Sequence, residues 1–464
     1  MALVTDLTAR RLELVLATAQ AEGRVPSMAA ALTRDGSLVW RGSRGDETGV
    51  PGMRPVDLQY RIGSLTKTMT AVLVMRLRDE GRLHLHDPLS AYLPELAGSD
   101  VTVHAVLSHG AGLAAEPPGP WWERVEGGTF ADLAAAFTAS VAPFEPGFTH
   151  HYSNLGYGLL GELVARVSGA DWWACVTERI LEPLGMLRTS YDAFEPHAQG
   201  YSVAPFAPVL TEEPAADTRA MAPAGQVWST VLDLATYADF LITGHPEVLS
   251  PDTIAEMSTP QTGSAAGGLS TGYGLGVRLL PGGTGTLVGH TGSMPGFQAA
   301  LFVDRARRTG AVVLANSTAG LRTTEIAPDL LATLEEMEPA LPDPWVPVDR
   351  VPAEVADLLG VWFWGNTARV LSWDGSHLLL TDMGTGRLMD SFRLGDDGLI
   401  GVLGHHDGEP LEVVRGDDGR VRHLEMSTFV LTRTPYDPGA PIPGGVPPTG
   451  PAVGPATGPA TGPG

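Results

Sequence analysis

The chain has 464 residues, 43% of them hydrophobic, which is enough for about two or three domains with at least one large core. Lys and Arg total 30 against 53 Asp and Glu, and the formal charge of -23 disfavours nucleic acid and anionic membrane as partners. A single cysteine, Cys175, excludes an intramolecular disulfide and is expected to be a small core residue.

The N-terminal segment predicts an amphipathic helix. Charged residues at Asp6, Arg10, Arg11 and Glu13 interrupt its apolar residues, whereas a secretory signal needs an unbroken apolar run. No later window offers about eighteen uncharged apolar residues, so the sequence predicts no membrane span. If Met1 is the true start, we expect a cytoplasmic protein with no nucleic-acid and no membrane partner.

Residues 1–345 mix helical and strand patterns. The fragment MAAALTRDGSLVWRGSRGD predicts two strands around an Asp-Gly turn, and residues 65–80 carry apolar side chains at helical spacing. A further helix, LGYGLLGELVARVSG, is predicted to end at Gly169, and consecutive strands are predicted from GTLVGHTGSMPGFQAALFVDRARRTGAVVLANS. Strands at both ends with helices between them favour an α/β (α+β) sandwich whose sheet is closed by distant parts of the chain.

Residues 346–437 predict a second, all-β domain. After a proline-rich linker at about 336–352, turn signals such as WDGS, GDDG and HDGE recur at a spacing of roughly ten residues. About eight strands of this length form a small antiparallel β-barrel. Residues 438–464 are almost wholly Pro, Gly, Ala and Thr and predict a disordered tail, because they cannot bury enough apolar area to offset the entropy of ordering.

A serine and a lysine open the helix predicted from residue 65. Ser64 and Lys67 are three residues apart, so their side chains project from one helical face. A serine hydroxyl needs a base to be nucleophilic at neutral pH, and a lysine can supply it where its surroundings favour the neutral amine. A simple helix cap is the alternative for Ser64 considered alone.

Two further fragments favour catalysis over a cap. In HYSNLGYG, Tyr152 and Asn154 flank one residue, which in an extended loop directs both side chains the same way. In GHTGS, His290 and Thr291 precede Gly292 on a predicted strand, where the missing side chain of the glycine would let a substrate backbone approach.

The three fragments, in this order, resemble the S-x-x-K, Y-x-N and H-T-G signatures of the penicillin-binding protein and serine β-lactamase superfamily. The stretches YRIGSLTKTMTA, VLSHGAGL, PAGQVWSTVLDLATY and GHTGSMPGF are also similar to class C β-lactamases and related D,D-peptidases, over about residues 20–315. The resemblance implies a β-lactamase/D,D-peptidase-like fold for the first domain.

The resemblance also implies a role for each motif residue. Ser64 would attack a carbonyl to form an acyl-enzyme, and Lys67 and Tyr152 would share the general-base role, with cationic neighbours favouring the phenolate of the tyrosine. Asn154 would orient Lys67 and the substrate amide. The backbone N–H groups of Ser64 and Ser293 would form the oxyanion hole.

One motif residue departs from the β-lactamase pattern. His290 stands where those enzymes have a lysine, and an imidazole carries a weaker, pH-dependent charge. It is less suited to hold the carboxylate of a β-lactam, which favours peptidase-like relatives over β-lactamases. Thr291 and Gly292 are expected to contact the substrate.

The second domain resembles the lipocalin-like barrel of the penicillin-binding-protein-type thioesterases. This resemblance implies a peptide cyclase that takes a nonribosomal peptidyl thioester ending in a D residue from a carrier protein and releases a macrocycle. The alternatives are a D-amino-acid peptidase, D,D-carboxypeptidase-like enzyme or esterase, and a noncatalytic binder, against which the complete proton-transfer set argues.

Three residues outside the motifs are further candidates for substrate contact. Trp122 lies in a loop where the family has a wall of the substrate cleft, and Trp364 and Arg433 lie in the predicted barrel. Core packing for the tryptophans and an ion pair for the arginine are the alternatives. No H-E-x-x-H or paired-cysteine motif accompanies the histidines, so we expect no metal and no cofactor.

Overall fold

The structure, a computed structural model, describes residues 4–137, 142–263, 272–283, 285–342 and 344–437. The chain divides into two units, Met1–Leu341 and Pro342–Gly464. The predicted disordered tail lies outside the described residues.

One antiparallel sheet organises the first unit. The strands of this unit are β1 (Met28–Arg34), β2 (Ser37–Arg44), β3 (Tyr60–Arg61), β4 (Tyr201–Val203), β5 (Leu210–Glu212), β6 (Trp228–Ser229), β7 (Gly272–Tyr273), β8 (Arg278–Pro281), β9 (Thr286–Met294), β10 (Phe297–Asp304) and β11 (Thr309–Ala315). Seven of them pair in the order β2-β1-β11-β10-β9-β8-β7, while β3 pairs with β6 and β4 with β5.

The ends of the first unit meet in this sheet, as the sequence predicts. Strand β1 pairs with β11 in a register that places Met28 opposite Ala315. The predicted Asp-Gly turn joins β1 to β2, and both Asp35 and Gly36 have positive φ angles, of 50° and 73°. Two such residues form the tight hairpin turn that matches the twist of antiparallel strands.

Helices cover both faces of the sheet. They are α1 (Asp6–Gly23), α2 (Thr66–Asp79), α3 (Val103–Leu107), α4 (Phe130–Ala136), α5 (Asn154–Ser168), α6 (Trp172–Val176), α7 (Glu182–Leu184), α8 (Ala222–Gly225), α9 (Val231–Thr243), α10 (Pro251–Met257) and α11 (Ile326–Met337). Helices α1 and α11 bury Leu16 and Leu330 against one face, and α2, α5 and α9 bury residues such as Met69 and Leu159 in the core of the other. The layered α/β arrangement is the predicted one.

Two local predictions are confirmed within these elements. Helix α5 ends before Gly169, whose left-handed conformation caps it. Cys175 is 2% exposed, consistent with a core residue. No described helix is both long and apolar enough to cross a membrane.

The second unit is a closed antiparallel barrel, preceded by the short helix α12 (Ala353–Ala356). Its strands within the described residues are β12 (Gly360–Trp364), β13 (Thr367–Trp373), β14 (His377–Asp382), β15 (Leu388–Gly395), β16 (Gly398–Gly404), β17 (Pro410–Arg415), β18 (Val421–Met426) and β19 (Phe429–Thr432). The barrel closes where Phe363 pairs with Thr432. Fully buried Trp362 and Phe392 fill its interior, so the predicted all-β barrel is confirmed.

Candidate active site

Ser64 and Lys67 meet at the junction between a short 3-10 turn and helix α2. The turn comprises Gly63–Leu65, and α2 begins at Thr66, one residue later than the sequence pattern suggests. Lys67 Nζ donates to Ser64 Oγ at 3.0 Å and to the carbonyl of Ala224 at 2.7 Å. The i, i+3 spacing therefore brings the hydroxyl and the amine into direct contact.

Lys67 is held where a charge is poorly solvated. Its side chain is fully buried, and no described carboxylate forms an ion pair with it. Loss of hydration lowers the pKa of Lys67 to about 7, although the charges of Glu116 and Glu123 act in the opposite direction. A substantial fraction of the amine is therefore neutral at pH 7 and able to accept a proton from Ser64.

Tyr152 lies beside this pair but is not the phenolate that the sequence argument favours. Lys67 Nζ lies 5.1 Å from the centre of the Tyr152 ring. Loss of hydration nevertheless raises the pKa of Tyr152 well above its usual value, and contact with the Ser64 hydroxyl only partly offsets the increase. The cationic neighbours do not outweigh burial, so the phenol is neutral, and Lys67 is the better placed base.

Asn154 begins helix α5 instead of lying in an extended loop, with Ser153 as its N-cap. Its Nδ2 donates to Glu116 Oε1 at 2.7 Å, and its buried Oδ1 has no partner. The predicted bond that would orient Lys67 is therefore replaced by a bond to a carboxylate that the motifs do not include.

Gly292 serves a different contact from the predicted one. A Cβ built on Gly292 would lie 1.9 Å from the carbonyl oxygen of Ile62, so the glycine lets strand β9 approach the turn that carries Ser64. Gly63 allows the same close packing from the side of the turn, because a Cβ built on Gly63 would lie 2.6 Å from the backbone nitrogen of Ser293. The structure thus brings the Ser293 backbone against Gly63, the residue before Ser64, while the face of Gly292 is occupied by protein. The predicted oxyanion hole of Ser64 and Ser293 stays a prediction.

His290 is a buried, neutral side chain. It is 1% exposed, its Nδ1 donates to the carbonyl of Thr291, and its Nε2 lies 3.0 Å from the hydroxyl of Tyr273. Loss of hydration, together with the charge of Arg278, lowers the pKa of His290 well below its usual range. The cation near the H-T-G strand is therefore Arg278 of β8, and the spacing of the motifs gave no signal for it.

His109 is a second residue that the motifs do not reveal. Its ring centre lies 4.2 Å from that of Tyr152 and 4.6 Å from that of Tyr273, and its Nδ1 accepts the N–H of Ser153 at 3.0 Å. His109 has a positive φ of 57°, which is uncommon outside glycine. Its position in the quoted fragment VLSHGAGL was the available signal.

The predicted cleft residue Trp122 packs beside the same carboxylate as Asn154. It is 8% exposed, and its Nε1 donates to Glu116 Oε2 at 2.7 Å. One side of its ring lines a cavity of about 270 Å³ with residues that include Val125 and Met221. Trp122 is thus a wall between Glu116 and an apolar cavity, and its contact with substrate stays a prediction.

The remaining predicted contact residues divide between the two units. Thr291 lies on β9 and is partly exposed. In the barrel, Trp364 is 46% exposed, and the guanidinium of Arg433 stacks 3.9 Å from the centre of the Trp362 ring. Arg433 also donates to the carbonyls of Asp357, Leu359 and Val361, at 2.6, 3.2 and 3.1 Å. These bonds give Arg433 a role inside the barrel, and substrate contact by Thr291, Trp364 and Arg433 stays a prediction.

No group of metal-ligating side chains occurs among the residues that the structure describes. The site offers instead a serine in contact with a partly neutral buried amine, an adjacent phenol, and the backbone of Ser293 against the turn that carries the serine. This set can support the formation and breakdown of an acyl ester on the serine.

Family profiles match both units. Residues 12–334 match the family described as Beta-lactamase, and residues 351–433 match a domain of unknown function, DUF7586. The chain belongs to the Beta-lactamase family. As a member of this family of serine hydrolases, it has its S-x-x-K, Y-x-N and H-T-G residues in one site.

Several relatives of this Beta-lactamase family member extend over most of the chain. Beta-lactamase-like protein 2 of Dictyostelium discoideum is 25% identical over 459 residues, covering 89% of this chain and 81% of that protein. The crystal structure of SurE is 28% identical with a TM-score of 0.61, covering 92% of this chain and 99% of SurE. SurE is also solved with D-Leu. A D-stereospecific amidohydrolase from Streptomyces sp. is 27% identical with a TM-score of 0.59, covering 71% of this chain and 98% of that protein.

Proposed function

We propose that this chain is a serine acyltransferase that releases a peptide from a thioester ending in a D residue, by cyclisation onto an amine of the same peptide. The donor would be a nonribosomal peptide carried on a peptidyl carrier protein in the cytoplasm. Ser64 would be the nucleophile, Lys67 the principal base, and Tyr152 a neutral proton donor. No metal or cofactor has a part in these steps.

In the acylation step, the Oγ of Ser64 attacks the thioester carbonyl and transfers its proton to Lys67. The carbon–sulfur bond breaks, and the thiolate leaves with a proton supplied through Lys67 or Tyr152. In the second step, the amine nitrogen attacks the acyl carbon, the bond to Ser64 breaks, and the amine proton returns to the serine oxygen. The N–H groups of Ser64 and Ser293 would stabilise the oxyanion in both steps.

The free side of strand β9 supports an extended peptide donor. Strand β8 pairs with β9 between Thr286 and Gly289, whereas β10 continues to pair with it through Met294. In the described chain, the segment from His290 to Met294 therefore has a β10 partner on one side only. A peptide could add to the other side as a short antiparallel strand, with its carbonyl beside Ser64.

The observation that most supports a D-configured donor is the likeness to SurE across both units. The match includes the barrel, covers 99% of SurE, and SurE binds D-Leu in one of its structures. A D-configured donor for this chain is the simplest ligand class consistent with that likeness. The neutral state of His290 fits the same proposal, because the site lacks the lysine that suits a β-lactam carboxylate.

Hydrolysis of D-amino-acid amides is the second candidate. The Streptomyces amidohydrolase is D-stereospecific and matches 71% of this chain. The two candidates share the acyl-enzyme and differ only in the acceptor, which is water in one and an amine in the other. The products therefore separate them.

The test uses linear peptidyl thioesters that differ only in the configuration of the C-terminal residue. We expect the full-length protein to convert the D form to a product lighter than the linear acid by one water, and to leave the L form largely unchanged. Ser64→Ala is expected to give neither an acyl-enzyme by intact-protein mass spectrometry nor product. Serine-dependent release of only linear acid would replace the cyclase with a hydrolase, and an absence of any acylation by the D thioester would contradict both.

A further inference from the structure

A carboxylate outside the three motifs lies at the rim of the site. Glu116 is solvent-exposed, yet both of its oxygens are fixed, one by Asn154 Nδ2 and the other by Trp122 Nε1, each at 2.7 Å. Burial lowers the pKa of Lys67 and raises that of Tyr152, and the negative charge of Glu116 opposes the first shift and adds to the second. Glu116 therefore combines an accessible negative charge, a defined orientation and proximity to the reacting groups.

Two neighbouring groups extend this rim. The Oδ1 atom of Asn154 is buried without a partner, although Asn154 is only 8% exposed, and such orphaned acceptors are uncommon in folded proteins. Glu123 accepts a hydrogen bond from Trp121 at 2.8 Å, and burial raises the pKa of Glu123, with a further increase from the charge of Glu116. The rim thus carries the exposed charge of Glu116, with no described cation paired to it, beside a buried acceptor that has no partner.

A primary ammonium matches this set of groups. It carries one positive charge and three N–H donors, whereas a hydroxyl or an amide offers fewer donors and no charge. We propose that Glu116, oriented by Asn154 and Trp122 and lying beside the unpartnered Oδ1 of Asn154, forms a subsite for a primary ammonium group of the substrate. The natural ligand rests on the proposed function: it is either the N-terminal ammonium of the acceptor or the α-ammonium of a D-aminoacyl donor.

The subsite has a defined part in an aminolysis step. An incoming ammonium transfers one proton to the Glu116 carboxylate, and the neutral amine then attacks the acyl carbon on Ser64. The carbon–oxygen bond to Ser64 breaks, and the second amine proton returns to the serine oxygen through Lys67. If the ligand is instead the α-ammonium of a D-aminoacyl donor, that ammonium keeps its proton. Its contact with Glu116 then only positions the donor carbonyl next to Ser64.

The variant that tests the subsite is Glu116→Gln, which keeps the shape of the side chain and removes its charge. Glu178→Gln is the matched control, because Glu178 is exposed on the helical segment after α6, away from the motif residues. A general defect from misplacing Asn154 or Trp122 would reduce all acylation alike. A subsite defect would depend on whether the substrate carries a free amine.

The donor arm compares p-nitroanilides of D-leucine with a free and an acetylated α-amine. For a donor subsite, we expect Glu116→Gln to lower kcat/KM for the free amine about two- to fivefold relative to the acetylated compound, which is the effect of losing an exposed charge interaction. The acceptor arm forms the acetyl-enzyme from p-nitrophenyl acetate and measures the ratio of aminolysis to hydrolysis with added glycinamide. For an acceptor subsite, we expect Glu116→Gln to lower that ratio by a similar factor.

A loss confined to the free-amine donor supports a donor subsite, and a loss confined to the aminolysis ratio supports an acceptor subsite. Neither loss should occur in Glu178→Gln. Equal losses for free and acetylated donors, with an unchanged aminolysis ratio, would overturn it and leave Glu116 as a structural anchor. Because both arms use small activated substrates, they remain informative if the peptidyl thioester is not turned over. Failure of the cyclase proposal and failure of the subsite are therefore separate results.

Discussion

The catalytic unit and the barrel differ in how many partners surround a basic side chain. In the catalytic unit, Lys67 is fully buried, donates to a hydroxyl and one carbonyl, and lies over two tyrosine rings without a described carboxylate partner. In the barrel, Arg433 stacks on Trp362 and donates to three carbonyls. A buried amine without a counter-ion loses its proton more readily and can then act as a base, whereas a guanidinium with several hydrogen-bond partners stabilises the fold.

The distribution of unpaired polar atoms shows the same contrast. Around the site, Arg61, His109 and Asn154 each have a buried side-chain atom without a hydrogen-bond partner. In the barrel, within its described residues, only His423 does. Unpaired buried groups lower stability, and the first unit also has them at Thr33, Ser168, Arg188, Glu213, Asp239 and Arg305, so among the described residues they are more numerous in this unit than in the barrel but are not confined to the site.

Replacing Lys67 is expected to have the largest effect. Lys67→Met removes the base but keeps an apolar stem of similar length, so we expect kcat/KM for acylation to fall about 10³-fold. The unfolding temperature should stay constant or rise, because the burial of an amine without a counter-ion is relieved. A large loss of stability would show that Lys67 is a structural cation like Arg433.

The same variant changes the pH dependence of stability. The pKa of Lys67 is about 7 in the folded protein against its usual 10.5, so between these values the unfolded chain holds a proton that the folded chain has released. The free energy of unfolding of the wild type should therefore gain a component that rises with pH across this window. Urea titrations of wild type and Lys67→Met at several pH values would detect it as a difference in slope.

Tyr152→Phe tests which group is the base. We expect a fall of about 10²-fold in kcat/KM, since the phenol is a neutral proton donor. The rate of the wild type should rise with pH through about 7, where Lys67 loses its proton, and the variant should keep this rise. If the rise in rate with pH is absent in Tyr152→Phe, Tyr152 is the titrating base and the assignment of that role to Lys67 is wrong.

Gly292→Ala tests the contact between β9 and the Ser64 turn. The added methyl group would lie 1.9 Å from the carbonyl oxygen of Ile62, so the turn must move. We expect kcat/KM to fall by about ten- to a hundredfold, with a loss of roughly 1–3 kcal/mol in the free energy of unfolding. Gly283→Ala is the control, because nothing lies within 4 Å of a Cβ at that position. Unchanged activity in Gly292→Ala would show that Ser64 tolerates displacement.

Arg433→Met is expected to have the smallest effect on chemistry. The loss of the ring contact and of the bonds to carbonyls should destabilise the barrel by about 1–2 kcal/mol, measured by thermal unfolding. Arg420→Met is the control, since the side chain of Arg420 is 89% exposed. A selective rise in KM for the peptidyl thioester, without a change in unfolding temperature, would contradict the structural role and favour the predicted substrate contact.

The sequence predicted the architecture well because its signals were local. The Asp-Gly hairpin, the glycine that caps α5 and the regularly spaced turns of the barrel are each encoded within a few residues. The pairing of Ser64 with Lys67 is also local, since it follows from helical spacing. These are the predictions that the structure confirms most directly.

The chemistry of the site was less predictable because it depends on residues distant in sequence. The partner of Asn154 is Glu116, 38 positions away, and the space beside Gly292 is filled by Ile62. Burial determines that Tyr152 is a neutral phenol, and no motif encodes burial. Motifs therefore identified the reacting residues, but their protonation required the packed structure.

The most direct test of the account uses the fact that Lys67 is the only lysine in the sequence. Protein labelled with ¹³C-lysine should give one Cε resonance, which can be followed by NMR as the pH is raised. The account predicts a single titration with a pKa of about 7. A titration near the usual 10.5 would show that Lys67 stays protonated at neutral pH, and would contradict its assignment as the base that activates Ser64.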